Sequence, residues 1–176
     1  SIKEPAEIGK NHGVYRVDSE GNVGGFLHKK TVEQLQKLGA SDDQGNVDID
    51  TGAVIFNSEM LQALYQLVDT KEKFAAYVNE STRLSFYADF LYPLASDSTL
   101  EQYYKETPEG DFTPELEQCR TELWSVLHPY QMKLIRMSPA AFIHFGTTKE
   151  LRELMTERMD EFYYLGWTSN INTNRE

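Results

Sequence analysis

The strongest constraint on the fold is a strand–turn–strand pattern that leads directly into the start of a helix. In GVYRVDSEGNVGGFLHKK, residues 13–30, two strand-like runs flank the turn-forming residues 19–22, and the second strand is predicted over 23–29. Thr31 follows, and Gln34 stands three residues later, which is the spacing of a capping box. The apolar residues that share one face of the predicted helix are Val32, Leu35 and Leu38. The segment therefore predicts a β-hairpin followed by a helix.

A second strand and helix are predicted further along the chain. Residues 49–56, IDTGAVIF, are short and mostly apolar, which is typical of a strand buried on both faces. Asn57 or Ser58 then caps a helix. Its apolar positions are Met60, Leu61, Leu64, Leu67 and Val68. The order strand, helix, strand, helix predicts an α/β fold.

Residues 70–128 have a different composition, with helical pieces rich in Tyr and Phe. Thr113 and Pro114 supply a helix cap and a proline in the first turn. We interpret this segment as a helical insertion packed on the sheet. The segments KLIRM, 133–137, and AFIHF, 141–145, are predicted to return to strand, and a last helix is predicted from Thr148 to about residue 165.

Composition excludes several classes of protein. The formal charge of −11 disfavours binding to nucleic acid or to a membrane surface. A bilayer span needs about 20 apolar residues, and the chain has no such stretch and no opening signal peptide, so we expect a cytoplasmic location. The single Cys119 excludes an internal disulfide framework. Because the first residue is Ser, we expect a trimmed or excised piece of a longer protein.

Two places could bind an anion. Gly146, Thr147 and Thr148 turn the chain from a predicted strand into a helix, where free N–H groups can hold an anion or a hydroxyl. The alternative is that Thr147 only caps the helix, because Glu150 stands at capping-box spacing. Lys29 and Lys30 end a strand and could pair with a phosphate, or form an ordinary solvated strand end.

Carboxylates and histidines supply two further candidates. Asp48 and Asp50 precede the predicted second strand and could hold sugar hydroxyls or a metal, or simply form an acidic turn. His144, inside an apolar run, is either a ligand or a core residue, and the four histidines show no metal-binding spacing. The chain also lacks the GxxxxGK[ST], GxSxG and GxGxxG patterns, so a complete nucleotide-binding loop is not expected within it.

Three segments together resemble one family. GVYRVDSEGNVGGFLHKKTVEQL, DTGAVIF and FIHFGTTKELRELM resemble the L-fucokinase/GDP-fucose pyrophosphorylase family, and the pattern FxHxGTTxE is the most specific of the three. The resemblance covers about residues 12–166 and points to the fucose-1-phosphate guanylyltransferase part of the bifunctional bacterial enzyme. It implies the later half of a Rossmann-like nucleotidyltransferase domain, with a mixed sheet, helices and the helical insertion at about 70–128. The whole chain, residues 1–176, would then be one partial domain.

The resemblance also implies partners outside the chain. A Gly-rich GTP loop would lie upstream, and a left-handed β-helix and a possible sugar-kinase domain would lie downstream. The reaction implied is L-fucose 1-phosphate plus GTP giving GDP-fucose and pyrophosphate, with Mg²⁺ as cofactor. We expect the isolated 176 residues to be inactive, because the GTP loop is missing.

The family also implies roles for individual residues. Its usual run FLHKP makes Lys29 the partner of the sugar phosphate, and Lys30 here replaces the proline, which leaves both lysines open for that role. Asp50 and Thr51 would contact the sugar. The corner Gly146, Thr147 and Thr148 would complete the substrate site. His144 stands where wider relatives place a metal-binding Asp, which argues against a two-carboxylate magnesium site and leaves His144 as a candidate metal ligand or hydrogen-bond partner.

A second hypothesis is a non-catalytic module. The aromatic, acidic helical segment 70–128 could serve assembly within a larger sugar-metabolism enzyme, and a homo-oligomer is possible on either hypothesis.

Overall fold

The structure is a computed structural model that describes residues 1–143 and 146–167, without the side chain of Leu165. The chain forms two compact units, Ser1–Ala141 and Phe142–Glu176.

The first unit is built on a four-stranded antiparallel sheet in the order β1–β4–β2–β3. The strands are β1 Ile2–Pro5, β2 Gly13–Val17, β3 Val23–His28 and β4 Asn46–Ile49. The predicted hairpin is confirmed as β2 and β3. Its turn is closed by Asp18, whose Oδ1 accepts hydrogen bonds from the backbone N–H groups of Glu20 (2.8 Å) and Asn22 (2.9 Å).

The predicted helix starts are confirmed where a side chain caps the first turn. Thr31 forms a complete capping box with Gln34, Asn57 caps the helix after it, and Thr113 caps the long helix that begins at Pro114. The α-helices of this unit are α1 Ala6–Gly9, α2 Val32–Lys37, α3 Ser58–Gln66, α4 Lys71–Tyr77, α5 Leu100–Lys105 and α6 Pro114–Leu127. A π-helix, Phe86–Leu91, and a 3-10 helix, Tyr92–Leu94, lie between α4 and α5.

The two faces of the sheet pack against different helices. Side chains alternate between the faces of a strand, so the buried Val14 and Tyr15 point in opposite directions. On the Val14 side, Gly9 of α1 lies so close to Val47 that a Cβ there would be 2.8 Å from its side chain. On the Tyr15 side lies the main core, which confirms that the helical segment packs on the sheet. This core contains Tyr15, Val23, Phe26, Tyr77, Leu91, Leu94, Ala95, Cys119, Leu123 and Leu127.

A buried ion pair between Arg120 and Asp89 links several helices of the first unit. The Arg120 side chain is 0% exposed, and its Nε donates to Asp89 Oδ1 at 2.7 Å. Arg120 Nη1 donates to the carbonyl oxygens of Tyr103 (3.0 Å) and Glu106 (2.9 Å). Asp89 Oδ2 accepts from the backbone N–H of Ser85 at 2.6 Å. The pair therefore ties α6 to the π-helix and to the end of α5.

The predicted strand over residues 49–56 is wrong. The strand ends at Ile49, because Asp50 Oδ1 accepts from the backbone N–H of Gly52 (3.0 Å) and Gly52 has φ +72°, which turns the chain away. Beyond the turn, Ile55 is 88% exposed instead of buried. The α/β class is confirmed, and all strand pairs within the described residues are antiparallel, whereas the resemblance implied a mixed sheet.

The predicted strand over 133–137 is also wrong. This segment is held at the β2–β3 turn by one isolated bridge, Asn22 to Lys133, with backbone hydrogen bonds from Val23 to Met132 and from Leu134 to Gly21. Asn22 belongs to the turn between β2 and β3, so segment 133–137 cannot continue pairing beyond this bridge. Residues 141–143 of the other predicted strand are irregular, and residues 144–145 lie outside the described residues.

The second unit contains a shorter helix than predicted. The α-helix α7 spans Thr148–Thr156, and a kinked 3-10 helix, Met159–Leu165, follows. The α-helix ends because the backbone N–H groups of Glu157 and Arg158 both donate to the carbonyl oxygen of Glu153, which breaks the regular repeat.

Candidate active site

One end of the sheet gathers the candidate polar residues of the first unit. Gly13 of β2 pairs with His28 of β3, and the backbone N–H of Asp50 donates to the Gly13 carbonyl oxygen at 2.9 Å. These residues form a row across three neighbouring strands, and two strand spacings separate Asp50 from His28, which is roughly 10 Å. Lys29 and Lys30 continue the chain from His28. The row is called the sheet-end site below.

One carboxylate oxygen of Asp50 is buried without a hydrogen-bond partner in the part of the chain that the structure describes. Its side chain is buried, with only 6% of the residue exposed. Oδ1 accepts from the Tyr15 hydroxyl (2.7 Å) and from the Gly52 backbone N–H (3.0 Å). Oδ2 is buried and has no hydrogen-bond partner among the described residues. Burial and then the nearby Asp50 charge raise the pKa of Tyr15, so its hydroxyl stays a donor. A buried carboxylate oxygen without a partner is costly, and a ligand hydroxyl would satisfy it.

Asp50 and Thr51 line a cleft of about 240 Å³. The lining of the cleft is mostly apolar. It is formed mainly by the loop after Asp50 and by segment 130–137, and we call this segment the cleft wall. Drug-sized ligands occupy pockets of about 300–1,000 Å³, so this cleft has room for one small ring.

The two lysines lie in a second depression at the same end of the sheet. Lys29 and Lys30 line it together with Lys10 and Asn11. Lys29 has φ +50°, a left-handed conformation that is strained for any residue except glycine. The structure thus groups Lys29 with Lys30, and Asp50 with Thr51, and places the two pairs in separate depressions.

His28, at the end of β3, stacks beside Tyr87 of the π-helix, and neither residue was predicted as a site residue. Their ring centroids are 5.9 Å apart and the planes differ by 17°. Burial and then the positive charge of Lys29 lower the pKa of His28, so its ring is more readily neutral than an exposed histidine. Tyr87 belongs to a segment rich in aromatics, where its spacing alone looks like that of a core residue.

Asp48 is not free to bind a ligand. It lies in β4 and not in a loop, and Arg136 donates to it from Nε (2.7 Å) and Nη2 (2.8 Å). The Lys3 ammonium is 3.3 Å away. Burial alone would raise the pKa of Asp48, but Arg136 and Lys3 outweigh it and hold that pKa below its ordinary value. Asp48 therefore anchors the cleft wall to the sheet through Arg136.

This ion pair predicts a pH-dependent loss of stability in the variant Arg136→Gln. A carboxyl whose pKa is lowered by folding stabilises the protein above its unfolded pKa of about 3.9, and the contribution is lost as pH falls through the folded pKa. We expect the variant to unfold at lower urea concentration than the wild type at about pH 7, with the difference shrinking near pH 3. Arg16→Gln, whose partner Asp97 is exposed, is the matched control and should show a smaller effect. A difference that stays constant with pH would contradict this account.

The remaining predicted site residues lie in the second unit. The Thr147 hydroxyl accepts from the Glu150 backbone N–H (3.2 Å), and the Thr147 backbone N–H donates to Glu150 Oε2 (2.9 Å). This is the complete capping box that the sequence allowed, so the polar groups of Thr147 already serve the helix start. Gly146 and Thr148 flank this cap and are exposed. His144 lies outside the described residues.

Across residues 1–143 and 146–167, no group of three or more His, Cys, Asp or Glu side chains is placed to hold a metal ion. We therefore assign no metal ligand.

The fold and the sheet-end site define an α/β protein that carries, among its described residues, a carboxylate with an unpaired oxygen and a pair of lysines, groups whose chemistry suits hydroxyls and phosphates. A family model described as the fucose pyrophosphorylase domain matches residues 1–175. The chain belongs to this family, which relates its function to GDP-fucose pyrophosphorylase and confirms the resemblance seen in the sequence. No curated protein and no solved structure gave a significant match. In the described part of the chain, no helix is long and apolar enough to cross a membrane.

Proposed function

We propose that this domain is part of a guanylyltransferase that joins L-fucose 1-phosphate and GTP to give GDP-fucose and pyrophosphate. The observation that carries the proposal is the match of the fucose pyrophosphorylase domain to residues 1–175. The sheet-end site supports it, because a sugar phosphate needs both hydroxyl acceptors and cations.

In the proposed reaction, a phosphate oxygen of the sugar phosphate attacks the α-phosphorus of GTP in line. A new P–O bond forms, the bond between the α-phosphorus and its bridging oxygen breaks, and pyrophosphate leaves. Lys29 and Lys30 hold the phosphate of the sugar and offset its charge, while Asp50 orients the sugar hydroxyls. We propose that the GTP loop comes from the rest of the polypeptide, and that the complete enzyme uses Mg²⁺.

The proposed role of Lys29 is tested by two variants of the full-length protein. Lys29→Ala is expected to raise the KM for L-fucose 1-phosphate about 10- to 100-fold, because a charge-assisted hydrogen bond is lost, and to leave the KM for GTP unchanged. Lys29→Gly should show the same KM effect without loss of stability, because glycine adopts the left-handed backbone of this position without strain.

The matched control is Lys37→Ala, which removes an exposed lysine from the end of α2. It should leave both KM values unchanged. An equal rise in both KM values for Lys29→Ala would remove Lys29 from the sugar-phosphate site.

A second candidate function is assembly, as a non-catalytic helical module. It is favoured by apolar side chains on α3 and α4 that remain exposed: Leu61, Tyr65 and Phe74. Light scattering of the full-length protein with and without Tyr65→Ser tests it. A smaller particle for the variant, with unchanged formation of GDP-fucose, would support an assembly surface beside the active site.

A further inference from the structure

We propose that the ring of Tyr87 is the surface on which the sugar of the proposed substrate lies, between Asp50 and the two lysines. The inference rests on the proposed function and names a specificity residue for it. Tyr87 would contact the sugar directly, with the C–H groups of one sugar face packed on the aromatic ring.

Three parallel rings form the floor of this part of the sheet-end site. Tyr87 and Phe26 have centroids 6.4 Å apart and planes that differ by 6°, and His28 lies near both in a similar orientation. Phe26 is 3% exposed, whereas Tyr87 is 37% exposed. Tyr87 is thus the ring of this group that offers the most surface to a ligand.

The Tyr87 side chain lies near both the turn at Gly52 and His28. A Cβ added to Gly52 would lie 3.7 Å from the Tyr87 hydroxyl oxygen, and Gly52 donates its backbone N–H to Asp50. On its other side the Tyr87 ring stacks beside His28, the residue that precedes Lys29. The Tyr87 ring is thus near the turn that follows Asp50 and near the residue that precedes Lys29.

The backbone holds Tyr87 in place. Its π-helix is capped by Ser85, whose N–H donates to Asp89, and Asp89 is fixed by the buried Arg120. Single turns of π-helix occur frequently at functional sites. The floor under the substrate is therefore preorganised, which lowers the entropic cost of binding.

The surrounding chemistry favours a sugar over a nucleobase at this position. The roughly 10 Å between the Asp50 and His28 strands suits one six-membered ring with one phosphate. An aromatic face carries partial negative charge, which attracts the C–H groups of a sugar. Aromatic walls with a few placed polar groups are typical of small-molecule sites.

The test uses the full-length protein with L-fucose 1-phosphate and GTP as probes. Tyr87→Leu should raise the KM for L-fucose 1-phosphate about tenfold and leave that for GTP unchanged, because only the sugar loses its ring contact. Tyr87→Phe keeps the ring and should behave like the wild type. Tyr163→Leu removes an exposed tyrosine of the second unit and is the matched control.

A measurement on the wild type makes the test independent of whether a variant folds. Saturation of the aromatic protons by NMR should transfer to the ring hydrogens of L-fucose 1-phosphate. Absence of this transfer, or a rise in the KM for GTP alone in Tyr87→Leu, would overturn the inference while GDP-fucose formation by the wild type keeps the proposed function. A wild type that forms no GDP-fucose would overturn both.

Discussion

Replacing Arg120 with methionine is expected to lower the free energy of unfolding by about 3–5 kcal/mol. The methionine fills much of the space but leaves the carboxylate of Asp89 buried without its cation. It also removes the hydrogen bonds that Arg120 Nη1 donates to the carbonyl oxygens of Tyr103 and Glu106. Removing one partner of a buried pair is more damaging than removing both, because an uncompensated charge stays in the core.

Urea unfolding of the full-length protein, followed by circular dichroism, measures this effect. The double variant Asp89→Leu with Arg120→Met should recover part of the loss, because no lone charge remains. Arg152→Met replaces an exposed arginine and is the control. If Arg120→Met were no more damaging than this control, the buried pair would not hold the helical layer together.

Replacing Asp50 with alanine is expected to raise the KM for L-fucose 1-phosphate about 10- to 100-fold, since hydrogen bonds to a charged group contribute roughly 1.5–3 kcal/mol. The KM for GTP should not change, because Asp50 contacts only the sugar in the proposed site. Some loss of stability should accompany the effect, as the buried Tyr15 hydroxyl loses its acceptor.

Two companion variants separate binding from stability. Tyr15→Phe removes the hydroxyl that donates to Asp50 but leaves the carboxylate for the ligand, so it should lower stability more than sugar affinity. Asp43→Ala removes an exposed carboxylate and should change neither. An Asp50→Ala enzyme with unchanged kinetics would remove Asp50 from the substrate site.

The parts of the fold that could be predicted from the sequence are those set by local interactions. The capping box of Thr31 and Gln34 needs only four consecutive residues, and the β2–β3 turn needs only the side chain of Asp18 and its neighbours. Such patterns are complete within a short segment, so they can be recognised without knowing the rest of the chain.

The parts that could not be predicted depend on distant partners. The apolar run 49–56 has the composition of a buried strand, but the turn at Gly52 carries it off the sheet. Asp48 looked like a ligand beside Asp50, and only its pairing with Arg136, 88 residues away in the chain, shows that it anchors the cleft wall. Periodicity carries no information about such contacts.

The candidate site likewise contains residues that the sequence indicated and one residue that it did not. Lys29 and Asp50 were assigned through the family resemblance, and their roles stay predictions. Tyr87 was not assigned, because an aromatic residue in a helical segment has the same spacing whether it fills the core or faces a ligand. Its partial exposure beside His28 is a property of the folded chain alone.

The cleft wall has a consequence for how such enzymes could be re-engineered. Segment 130–137 borders the cleft but is not a strand of the sheet, and it is attached by a few backbone bonds and by Arg136. Its side chains other than Arg136 can therefore be exchanged while β3 and β4, which lead into Lys29 and Asp50, keep their pairing. A library confined to these positions would vary the shape of the cleft and preserve the sheet.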